Sequence, residues 1–147
     1  MCHPPIVIPS VNIYRDKEKG RYLVQDLMPS PAGGSVECGE PTIVEESEFD
    51  SRIAKSVFDS LAKYENRGYV QELERRFLND RQSLAFAKQH LVVNVAKIPG
   101  NRIRLAALQR KGASHIGGVV GGETVIDGVS ALEDLPRLLR VAFEKAR

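Results

Sequence analysis

The feature that most restricts this chain is the pair of apolar runs on either side of Pro99-Gly100. Residues 91–98 form a continuous strand-like run. From 102 to 108 the residues alternate, with Ile103 and Leu105 on one side and Arg102 and Arg104 on the other. Period two is the mark of a strand half covered by a core. Proline then glycine suits the central positions of a type II turn, since proline presets φ and glycine accepts a positive φ. The segment therefore predicts an antiparallel hairpin.

Helical stripes supply the cover for such a sheet. Phe49, Ile53, Val57 and Leu61 recur every four residues, and Ala54 and Phe58 widen the stripe. Ser47 or Asp50 can cap its start, and Asn66-Arg67-Gly68 ends it. Val70, Leu73, Phe77 and Leu78 carry a helical pattern through 69–89, which Asn79-Asp80 can divide. Leu135, Leu138, Leu139, Ala142 and Phe143 make a closing amphipathic helix, with Pro136 placed in its first turn. Upstream, residues 6–15 are β-rich, with Pro9 marking an edge or a break, and 16–20 is a charged turn. Residues 21–28 read as a strand with Tyr22, Val24 and Asp26 on one face and Leu23, Gln25 and Leu27 on the other. One or two short strands follow in 36–45, broken at Gly39 to Pro41. Residues 111–122 read as a glycine-rich loop and 124–127 as a last short strand. The expected class is α/β (α+β): a mostly antiparallel sheet covered by three or four helices, from 49–65, 69–89 and 132–147. At 147 residues it is read as a single domain over 1–147. A shift of 82 lays Thr42, Ile43 and Val44 on Thr124, Val125 and Ile126, an echo that generic strand–helix patterning explains as well as duplication does.

No reaction class stands out. Hydrophobic residues are 42% and charged residues 27% of the chain, with a net charge of +2, an ordinary globular balance. No run of 18 apolar residues predicts a membrane helix, and the start, Met1-Cys2-His3-Pro4-Pro5, lacks the pattern of a signal peptide. Cys2 and Cys38 are read as reduced thiols, which with these features predicts a cytoplasmic chain. Apart from Cys2-His3 at the terminus, no histidine stands at ligand spacing with another His or Cys, so no metal or other cofactor is expected. Ser114-His115 are neighbours in sequence, an arrangement that rarely lets nucleophile and base face each other. His90 opens a strand and reads as structural. The Gly117 to Gly122 run lacks the Lys-Ser/Thr and the following helix of a phosphate loop.

Charge layout says more. Glu37, Glu40, Glu45, Glu46, Glu48 and Asp50 lie together with no Lys or Arg among them, and are the candidate partner-binding residues. Arg81, Lys88, Lys97, Arg102, Arg104, Arg110 and Lys111 fill a stretch without acids between Asp80 and Glu123. Each set is either a solvated face or a patch for an oppositely charged partner.

In element order the chain resembles the immunity proteins of bacterial contact-dependent growth inhibition systems. Three segments carry the likeness: Gly20-Arg21-Tyr22-Leu23-Val24 with the Ile53 to Leu61 helix; Ser83-Leu84-Ala85-Phe86-Ala87-Lys88 leading into paired strands; and Val125-Ile126-Asp127 followed by Leu135-Pro136-Arg137-Leu138-Leu139-Arg140-Val141-Ala142-Phe143. The chain departs from that group in having no tryptophan before its last strand and Pro136 where glycine is usual. The resemblance implies a non-enzymatic protein that binds and neutralises the C-terminal domain of a cognate toxin, such as a tRNA-cleaving nuclease. It implies neither a cofactor nor direct contact with nucleic acid or membrane. The rival readings are a nucleic-acid-binding or regulatory module using the basic 81–111 stretch, and a small-molecule enzyme built on the His115 loop.

Overall fold

The computed structural model describes residues 8–29, 35–67, 85, 88–111 and 114–146. The strands are β1 (Ser10–Asp16), β2 (Arg21–Pro29), β3 (Ser35–Glu37), β4 (Thr42–Glu45), β5 (His90–Ile98), β6 (Arg102–Lys111) and β7 (Ser114–Asp127). All pair antiparallel, in the order β3-β2-β1-β5-β6-β7. The short strand β4 lies along the same β2, on Arg21 to Val24, while β3 takes Leu27 to Pro29. A turn of 3-10 helix, Glu46–Glu48, leads from β4 into α1 (Phe49–Arg67), and α2 (Gly128–Lys145) follows β7 directly. These two are the α-helices seen whole among the described residues, against the expected three or four. Most of the predicted 69–89 helix lies outside the described residues; Ala85, Lys88 and Gln89 have helical backbone.

Strand alternation decides what the helices cover. Val11 and Ile13 of β1, Tyr22 and Val24 of β2, Val44 of β4, Val93 and Val95 of β5, and Ile103, Leu105 and Ala107 of β6 form one core. Against them pack Phe49, Ile53, Val57 and Leu61 of α1 and Leu135, Leu139 and Phe143 of α2. These are the stripes the four-residue spacing predicts. Burying each large side chain contributes about 1.5–3 kcal/mol. Asp26 shares this face and accepts from Ser60 Oγ at 2.6 Å, so the polar tip of β2 is anchored to α1.

The predicted hairpin is present. Gly100 has φ +88°, as the third residue of a type II turn requires, and Asn101 follows at φ +54°. The carbonyl of Asn101 accepts the Gly128 N–H at 2.8 Å, which seats the start of α2 on the turn. A Cβ at Gly128 would come within 2.9 Å of that same oxygen, so this junction accepts only glycine without a shift.

One reading left open is decided, and two expectations are corrected. Pro9 marks a break, because β1 begins just beyond it and lies inside the sheet between β2 and β5. The expected 111–122 loop is strand from Ser114 onward: β7 starts there and pairs with β6 through register shifts between Ala106 and Gln109. Bulges of this kind are where glycine-rich strands are tolerated. The closing helix starts at Gly128, so Pro136 lies inside it rather than in its first turn.

Candidate functional site

The six candidate acids occupy the handover from β3 and β4 into α1, along one edge of the sheet. The structure finds partners for four of them. Glu37 accepts from the Tyr14 hydroxyl across β2 and β1. Glu48 is 2.5 Å from Arg52 Nη1, one turn on. Arg140 of α2 reaches both Glu46, at 2.6 Å, and Asp50, at 3.3 Å. Glu40 and Glu45 are exposed and make no ion pair among the described residues. Ile43, 47% exposed, lies between them on β4. The segment is therefore less open than its sequence suggests: the balancing cations come from outside it.

Arg140 is the residue that sequence reasoning missed. Its guanidinium lies 4.4 Å from the Phe49 ring centroid, over a ring that Tyr22 holds at 4.2 Å. Tyr22 also donates to Glu46, and Phe143 closes the cluster at 5.5 Å from Tyr22. Burial pushes the Glu46 carboxyl up, but the hydrogen bonds from Arg140 and Tyr22 outweigh it and hold the group below its usual range. Hydrogen bonding to Glu46 raises Arg140 above its ordinary value in return. The signal was its place one turn from Pro136 and about one turn from Phe143, at the margin of the α2 apolar stripe. There a long cation lays its stem on carbon and its head in water.

The basic stretch does not gather into one patch. Lys97 pairs with Ile103 and so shares the helix-covered side of the hairpin, whereas Arg104 pairs with Ala96 on the opposite side. Arg102 turns back on the hairpin and donates to the Pro99 carbonyl at 3.2 Å. Lys88 is exposed just before β5. Arg81 lies outside the described residues, as do the side chains of Arg110, Lys111, Ser114 and His115. The backbone of His115 lies in β7 opposite Arg110.

On the sheet face away from α1 and α2, Asp16 is fully buried. Its carboxylate accepts from the backbone N–H groups of Glu18 and Lys19, both at 2.9 Å, and from Gln89 Nε2 at 3.0 Å. Arg21 and the buried His90 each approach it at 3.6 Å. Burial pushes this carboxyl up, but the donors prevail and hold it below its ordinary value. The arrangement closes the β1–β2 turn, consistent with a structural His90. Tyr14 is pushed well above the usual phenol range, first by burial and then by the charge of Glu37. Among the described residues no three His, Cys, Asp or Glu side chains converge as metal ligands, and no helix is long and apolar enough to cross a membrane.

No protein-family model matches the chain, and no curated protein matches it in sequence. Solved structures do match its fold. A protein of unknown function from Neisseria meningitidis, NMB0488, superposes over 100% of both chains with a TM-score of 0.70 at 10% identity. A chain of the CdiA-CT/CdiI toxin and immunity complex from Yersinia pseudotuberculosis covers 97% of this chain and 99% of its own, with a TM-score of 0.66 at 9% identity.

Proposed function

We propose that this chain is an immunity protein, a single-domain cytoplasmic binder that neutralises the C-terminal domain of a contact-dependent growth inhibition toxin. The observation that carries the reading is the end-to-end fold likeness to a chain of a toxin and immunity complex. The element order read from the sequence supports it independently. The activity is binding, with no cofactor and no chemistry of its own.

We assign the partner surface to Glu37, Glu40, Glu45, Glu46, Glu48 and Asp50. A nuclease toxin must hold phosphates and so presents a basic surface. Carboxylates along an exposed sheet edge imitate those phosphates, speed association and favour the right partner. The division of Lys97, Arg102 and Arg104 between two faces of the hairpin favours this assignment over a nucleic-acid site.

Reversing Glu45, Glu46 and Glu48 to Lys tests the assignment. The folded triple variant is expected to bind the toxin domain encoded beside its gene more weakly. The loss should be larger at low salt, because surface charges are screened beyond about 8–10 Å at physiological ionic strength. Cells carrying it should lose protection against toxin-delivering neighbours. Unchanged affinity at both salts with full protection would move the interface elsewhere, with the basic 81–111 stretch next to try.

A further inference from the structure

Arg140 is fixed from three directions. It ion-pairs with Glu46 and with Asp50, and its guanidinium rests over the ring of Phe49, which is itself fully buried against Tyr22 and Phe143. A planar guanidinium suits such a seat, since it pairs through its nitrogens while its face lies on carbon. Glu46 and Asp50 stay open to solvent, but an incoming lysine meets there two carboxylates whose charge Arg140 already offsets. At Glu40 and Glu45, exposed beside Ile43, no cation among the described residues offsets the charge.

We infer that Arg140 is a specificity-determining residue: it mutes Glu46 and Asp50, so that a cationic protein surface engages this edge through Glu40 and Glu45. The biological meaning of this selection rests on the toxin-binding reading above, whereas its electrostatic basis does not. The residue acts through the carboxylates it occupies. It also gives α2, far along the chain, control over the charge that the strand edge displays. Two relatives with the same six acids would then differ in partner if only one of them kept an arginine at this helix position.

The test uses hexalysine as probe and amide and carboxylate NMR shifts as readout, at low and at high salt. In the unmodified protein the shifts should centre on Glu40 and Glu45. Arg140→Gln should extend them to Glu46 and Asp50 and tighten binding about 3- to 10-fold at low salt, a gain that vanishes at high salt. Arg140→Lys keeps the charge and should stay near the unmodified protein. A second variant guards against misfolding of Arg140→Gln: Glu45→Gln should weaken hexalysine affinity several-fold. Shifts at Glu46 and Asp50 as strong as those at Glu45 in the unmodified protein would overturn the inference. So would hexalysine affinity left unchanged by Glu45→Gln. If the hexalysine pattern is as stated but the purified toxin domain does not bind, the toxin reading falls and the role of Arg140 stands.

Discussion

Under α1 and α2 the central strands present Val11, Ile13, Val93 and Val95. On the opposite face the same strands present Asn12, Asp16, His90 and Asn94. A smaller apolar group, Tyr14, Leu23 and Val92 with Leu108 beside it, shares that side with them. The apolar face would tolerate many repackings, since its contacts are non-directional. The polar face would not. Asn94 donates to Asn12 at 2.9 Å, and Gln25 donates to the Cys38 carbonyl at 2.8 Å, bonds that a one-residue slip would break. One face supplies most of the stabilisation and the other fixes the register.

Leu139→Ala attacks the apolar face and should have the largest effect. It removes a fully buried side chain and should cost about 2–5 kcal/mol of unfolding free energy in a denaturant titration. An unchanged midpoint would mean the face of α2 is wrongly assigned. Asp16→Asn attacks the polar face. It leaves Arg21 and His90 without their carboxylate and should cost about 1–3 kcal/mol near neutral pH. Because the folded Asp16 lies below its ordinary value, its contribution is complete above an unfolded value of about 4 and is lost as pH falls through the folded one. Thermal melts of the two proteins should therefore converge on acidification, and a gap independent of pH would show that charge is not what Asp16 contributes. The smallest effect is expected of Asn12→Ala, about 1 kcal/mol, with loss of protection at the Val11–Ile13 amides in hydrogen exchange. Loss of stability without that local signature would deny the ladder its role in fixing register.

Much of the helix-covered face was legible, because periods of two and four report burial along a single segment. The 49–61 stripe, the Tyr22-Val24-Asp26 alternation and the Pro99-Gly100 turn all depend on residues a few positions apart. What failed depends on distant partners. The strand character of Ser114 onward comes from pairing with β6, which glycine-rich composition conceals. The early start of α2 rests on Gly128 meeting Asn101. At the candidate site, Glu46 and Asp50 looked unopposed because no cation stands near them in sequence; Arg140 lies about 90 positions on.

The place of β1 between β2 and β5 has a consequence in time. It leaves the ribosome before both of its partners; the one on one side, β2, follows at once. Its other edge must wait for residues 90–98. At translation rates of about 5–20 residues per second, the delay from Asp16 to Ile98 is roughly 4–16 s. Through that interval the nascent chain carries an open row of N–H and C=O groups, with Val11 and Ile13 beside it. Seconds are ample for a chaperone, or for the same strand of a neighbouring nascent chain, to reach that edge first.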